Sequence, residues 1–164
     1  MRTTITTIIT IILIFLLFSI FNPCHSSYRT RSGRMYRARN AKTAEIIDIL
    51  RNICVHLSFS INQNDRNKLR KRLQNTSFSE LIGTDPNILG WNYDKGREIG
   101  LKIYYENGTM YPEENILSTL FHELAHSLTD KWGHHQNWQE KDTYLQSFVS
   151  TYVPVLRIKI SELN

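Results

Sequence analysis

Cysteine is nearly absent. Of 164 residues only Cys24 and Cys54 carry a thiol. Cys24 lies beside a candidate cleavage site, and processing there leaves Cys54 alone, so an internal disulfide framework is not expected. Internal repeats are missing as well, and no long apolar run occurs after residue 21. Acidic side chains are in deficit, 15 against 20 Lys and Arg, for a net charge of +5. That balance suits a polyanionic partner and says nothing about fold. A chain of this length holds one domain of ordinary size.

The first stretch is not counted as fold. Ile5 to Phe21 is almost wholly apolar, interrupted by Thr6, Thr7, Thr10 and Ser19. Cys24 and Ser26 are small residues in the −3 and −1 positions for cleavage after Ser26, the pattern of a secretory signal peptide. The rival is an uncleaved anchor that meets the membrane through residues 5–21, since the run approaches bilayer-spanning length. Cleavage makes the domain secreted or lumenal. Retention makes it single-pass and, with Arg29 to Lys42 on the far side, places it in the cytoplasm. The cleavage pattern favours the first. Asn75-Thr76-Ser77 and Asn107-Gly108-Thr109 meet the N-glycosylation rule and matter only in a lumen.

Three segments result: 1–26 as signal peptide or anchor, 27–42 as a basic linker, and 43–164 as the folded domain. The linker reading rests on Arg29, Arg31, Arg34, Arg37, Arg39 and Lys42, spaced by Ser, Gly and Asn with no apolar period. Together with Arg66, Lys68, Arg70, Lys71 and Arg72, these cations make DNA a candidate partner. Ala41 to Leu57 carries an apolar stripe of Ile46, Ile47, Leu50, Ile53, Cys54 and Leu57 and reads as a helix, with His56 beside the stripe. Asn64 to Gln74 reads as a short basic helix resting on Leu69 and Leu73. Phe78 to Ile82 is a short apolar piece, and Gly83 to Asn87 a turn. Arg97 to Tyr105 alternates as a strand, with Ile99, Leu101, Ile103 and Tyr105 on one face. Trp138 to Tyr152 is expected as a last amphipathic helix ended by Pro154.

The chemistry concentrates in His122-Glu123-Leu124-Ala125-His126, within a predicted helix from Pro112 to Trp132 and just short of Gly133. Four residues turn a helix by about 400°, so the two histidines stack on one face and both imidazoles reach one ion. Glu123 is then placed to address a water on that ion without being a ligand. Paired histidines can also be plain polar surface. Against that, Ile116, Leu117, Leu120, Phe121, Leu124 and Leu128 recur at helical spacing, which gives the helix a core side. Catalytic zinc takes three protein ligands and leaves one position open. His134 and His135 both offer the third, and Asp130 extends the histidine face by one turn as a candidate outer partner.

Leu89 to Ile103, the His122–His126 helix and the histidine-rich segment after it together resemble the WLM family of zinc metallopeptidases. These are relatives of the SprT-like peptidases in the zincin group. Trp91 stands where that family usually has Leu, and the step from His126 to His134 is longer than its commonest spacing. The resemblance implies an α+β, zincin-like metallopeptidase domain, with a small sheet packed on the His-Glu-x-x-His helix and further helices. It implies Zn2+ as cofactor, a protein substrate, and action on DNA-associated proteins. His134 precedes Trp138 by four residues, the family's His-to-aromatic spacing, and so is preferred to His135. The expected metal set is His122, His126 and His134, with Glu123 as general base. Tyr111, Tyr144 and Tyr152 are candidates for the donor to the oxyanion. Two other readings stand beside this one: a basic nucleic-acid-binding protein with structural zinc, and a membrane-tethered inactive homologue. Oligomeric state is not legible.

Overall fold

The computed structural model describes residues 26–163 apart from Thr84. The apolar segment expected as signal or anchor lies outside the described residues, save Ser26, which opens a strand. Among the described residues no helix is long and apolar enough to cross a membrane.

The stretch expected as a basic linker is a hairpin. β1 (Ser26–Arg29) pairs antiparallel with β2 (Met35–Ala38), and Gly33 (φ 86°) supplies the left-handed turn between them. Its period of two is hard to see in sequence, because the inward positions are only Tyr36 and Ala38 while Met35 and Arg37 face solvent. The arginines are largely spent on structure. Arg34 meets Asp48 at 3.0 Å, Arg39 meets buried Glu80 at 2.5 Å, and Arg37 pairs with Glu98. Tyr36 donates to Asp48 at 2.7 Å, and burial first, then that bond, pushes the Tyr36 hydroxyl pKa up.

Asn40 caps α1 (Ala41–Ser60), its side chain accepting from Thr43 N at 2.8 Å. The helix runs one turn past the expected Leu57 and buries the whole predicted stripe. His56 is exposed. Asn62 caps α2 (Gln63–Leu73), which rests on Leu69 and Leu73 as expected. β3 (Ser77–Glu80) follows, then β4 (Gly90–Tyr93) and β5 (Glu98–Leu101), giving a five-stranded sheet in the order β1-β2-β3-β5-β4. β2, β3 and β5 run parallel, and β4 returns antiparallel along β5 as an open edge. The strand expected from Arg97 to Tyr105 ends at Leu101. Ile103 is still buried, but Tyr105 is exposed and stacks on Tyr111. β4 was not anticipated, since Trp91 and Tyr93 are both well exposed and leave no apolar face to detect.

α3 (Glu113–Leu128) starts at Pro112 with Glu113 and Glu114 in its first turn, which suits the positive end of the helix dipole. It ends four residues before the expected Trp132. Thr129 is extended, and the chain leaves the helix axis where Asp130 takes Lys68 (2.6 Å) and Lys95 donates to the Lys131 carbonyl. The predicted terminal helix is two. α4 (Gln136–Gln146) stops where Gln146 exchanges hydrogen bonds with Ser118 of α3 (2.8 and 2.9 Å). α5 (Val149–Ser161) then contains Pro154 instead of ending at it. Proline at that depth forfeits one backbone hydrogen bond, and the buried anchors Val149, Leu156 and Ile160 hold the helix in place. The architecture is α+β: α1 packs on β2 and β3, α3 packs on β4 and β5, α2 and α5 each touch both helices, and α4 and α5 pack on α3.

Candidate active site

α3 has one buried side and one side facing a cleft. Leu120, Phe121, Leu124 and Ala125 are fully buried, while His122 and His126, one turn apart, stay half-buried. The turn after Gly133 (φ 83°) brings a third imidazole back over them. His134 Nε2 lies 3.2 Å from His126 Nε2, and a ligand atom from each of His122, His126 and His134 lies within 4.8 Å of the other two. Metal–nitrogen bonds of about 2.0–2.1 Å at tetrahedral angles set nitrogens about 3.3 Å apart. The His126–His134 edge is already close to that length, and the His122 ligand atom lies within 4.8 Å of both.

His135 does not join them. It caps α4, its Nδ1 accepting from Trp138 N at 3.3 Å, and its Nε2 lies 3.4 Å from the Lys131 carbonyl. Trp138 forms the wall behind the three imidazoles, with centroid distances of 4.8, 5.0 and 4.1 Å to His122, His126 and His134. The His-to-aromatic step of four residues thus has a packing reason.

Asp130 is not the outer partner. It is exposed and bonded to Lys68. That place belongs to Asp142, whose carboxylate lies 3.7 Å from His122 Nδ1 and is itself fixed by Gln146 at 3.2 Å. Asp142 follows Trp138 by four residues, so both lie on the face of α4 that meets α3; this spacing was the available signal in the sequence. A carboxylate behind a ligand imidazole orients the ring and selects its tautomer. Asp142→Asn is therefore expected to weaken metal binding roughly 10- to 100-fold, read by competition with a chromophoric chelator.

The electrostatics favour the neutral form of His122 and His126. Burial lowers the His122 pKa despite Asp142, and burial with the neighbouring His122 and His134 lowers His126 to about 4. Glu123 moves the other way. Burial first, then the charge of Asp142, raises it from its ordinary 4.5 to about 7, within reach of the pH at which a general base works.

β4 completes the site. Gly90 lets the strand approach α3: a Cβ there would stand 2.6 Å from the Thr119 methyl and 2.9 Å from Glu123 Oε1. Asn92 locks the contact, donating to the Glu123 carbonyl (2.6 Å) and Ser127 Oγ (2.8 Å) while accepting from Gly96 N (2.7 Å). The cavity holds about 310 Å3 and is bounded by Gly90, Trp91, Asn92 and Lys95 on one side and by the histidines, Glu123 and Trp132 on the other. Tyr111, Tyr144 and Tyr152 are not in its lining. They pack against Tyr105, Phe148 and Phe121 respectively.

The model of the WLM domain matches residues 67–149, half of the chain. The chain belongs to the WLM family. Two solved structures of Wss1 from Saccharomyces cerevisiae are also similar. One aligns at 23% identity and TM-score 0.43, covering 54% of this chain and 73% of that one. The other, a mutant, aligns at 20% and 0.42, covering 52% and 78%. No curated protein matches. The matched residues of this WLM domain run from α2 to the first residue of α5 and include every residue of the cleft. Membership gives the chain a metalloprotease-like character.

Proposed function

We propose that this chain is a zinc-dependent endopeptidase. The observation that carries the reading is the convergence of three imidazoles beside a buried carboxylate at the foot of an open sheet edge. His122, His126 and His134 would hold the ion, a nitrogen set that suits zinc. When bound, zinc would supply a Lewis acid and lower the pKa of its water toward about 7.

The remaining steps belong to the protein. β4 pairs with β5 through alternate residues: the Leu89 carbonyl accepts from Lys102 N and the Tyr93 carbonyl from Arg97 N. The backbone groups of Gly90 and Asn92 therefore face the open side. A peptide added there in extended form runs past Glu123 with its main chain held by hydrogen bonds. Glu123 takes the proton of the attacking water and delivers it to the departing amine. Trp138 and Asp142 keep the imidazoles oriented through the cycle.

The full chain supplied with zinc is expected to bind one ion per molecule and to degrade an unfolded protein such as casein. A chelator should stop the reaction and added zinc restore it. Stoichiometric zinc with no proteolysis, accompanied by salt-dependent DNA binding, would overturn the reading in favour of a structural zinc site. DNA-associated proteins belong to this proposal as one substrate class. The first basic cluster supports that class weakly, since Arg34, Arg37 and Arg39 are paired with carboxylates.

A further inference from the structure

Beyond the cleft, on the side where β4 ends, lies a second and larger cavity of about 420 Å3. Lys68, Lys71, Arg72, Lys95 and Arg97 line it with Asn75, Gly96 and one carboxylate, Asp94. The two cavities share Lys95. This residue sits in the left-handed region (φ 55°) and is only 9% exposed. Its ammonium donates to the Lys131 carbonyl and lies 4.4 Å above the Trp132 ring. Arg72 reaches across from α2 to the Lys95 carbonyl, tying the two walls together. Lys68 is offset by Asp130, and Arg97 stands 4.0 Å from Asp94 with both side chains well exposed. Cationic charge therefore exceeds anionic charge at this spot, directly in line with the open strand edge.

We infer that this cavity is a specificity subsite for acidic side chains on the amino-terminal side of the scissile bond. The inference rests on the endopeptidase reading. An added strand is slightly more stable antiparallel than parallel. Antiparallel to β4, a peptide has its amino-terminal half passing Tyr93 and reaching the Asp94–Arg97 turn. At about 3.3 Å per residue, the side chain that meets the cavity stands roughly two to four positions before the cleaved bond.

A nucleic-acid backbone fits the surface less well, because it needs a continuous basic track. The cations of α2 do not form one. Arg66 is turned back onto the Phe59 and Ile61 carbonyls and Arg70 lies over the Phe59 ring, leaving Lys68, Lys71 and Arg72 gathered at one concave spot.

The test is cleavage of a fluorogenic peptide library by the zinc-loaded full chain, with Glu, Gln or Lys placed at each of four positions on either side of the bond. A preference for Glu over Gln of roughly five- to tenfold in kcat/KM is expected two to four positions upstream, falling with added salt, as two or three solvent-touched ion pairs would give. The K71E/R97E double variant should invert the order, cleaving the Lys peptides better than the Glu peptides at those positions. Cleavage without upstream acidic preference, or with one only downstream, overturns the inference and leaves the endopeptidase reading intact. An effect of the double variant seen only as loss of oligonucleotide binding also overturns it and assigns the cavity to nucleic acid. A chain that cleaves no peptide at all fails at the earlier step.

Discussion

Glu123→Gln is expected to leave zinc bound and to abolish hydrolysis. Glu123 is no member of the histidine cluster, and its carboxylate lies against Gly90, so the isosteric amide fits the same space without touching the ligand set. What it loses is the ability to accept a proton, a loss that removes roughly 10²- to 10⁴-fold in rate where one general base serves both proton transfers. Zinc content at one per chain together with turnover below detection is the expected pair. An unchanged rate removes Glu123 from the mechanism.

The same variant gives a second signal through stability in the metal-free protein. Burial raises the Glu123 pKa in the folded chain from 4.5 to about 7. The folded state thus holds this proton more tightly than the unfolded one. The stability so gained is fully present below pH 4.5 and is lost as pH rises through 7. Gln carries no such dependence. At pH 8 the metal-free Glu123→Gln chain should melt above the metal-free parent, and the gap should close by pH 4.5. A constant gap across that range would mean that the carboxylate is not desolvated.

How much of this was legible in the sequence depends on which side chains face inward. The stripes of α1 and α3 were plain because Ile, Leu and Phe repeat at helical spacing. The catalytic pattern was plain because both of its constraints, the i, i+4 step and the adjacent Glu, are local. The hairpin of β1 and β2 was hidden. Arginine covers its outer face, and its partners Asp48, Glu80 and Glu98 lie 14 to 61 residues away, beyond any local window. β4 was hidden for the opposite reason: an edge strand with Gly90 and Asn92 turned to α3 and two exposed aromatics has no apolar period. The helix ends failed where tertiary bonds decide. Lys95 takes the Lys131 carbonyl beyond α3, and Ser118 takes Gln146 at the end of α4. Asp130 and Asp142 show the same limit. Helical extrapolation put Asp130 on the ligand face, yet the helix stops at Leu128 and the neighbouring helix supplies the carboxylate instead.

The adjacent pair His134 and His135 gives the second large effect, because the two residues hold opposite jobs one position apart. His134→Ala deletes one of three converging nitrogens and leaves two, which cannot close a tetrahedral site. Affinity for zinc should fall by more than the roughly 100-fold that loss of an outer partner can cause, and proteolysis should vanish with it. Trp138 would also lose packing, since the His134 ring lies 4.1 Å from it. His135→Ala deletes the acceptor for Trp138 N at the start of α4, a capping loss of about 1 kcal/mol, and a long contact to the Lys131 carbonyl. That chain should melt slightly earlier while retaining its zinc and most of its activity. Zinc titration and thermal unfolding of both variants separate the two roles. Should His135→Ala be the variant that loses the ion, the turn at Gly133 would have to present the opposite face, with His134 capping α4 and His135 closing the site.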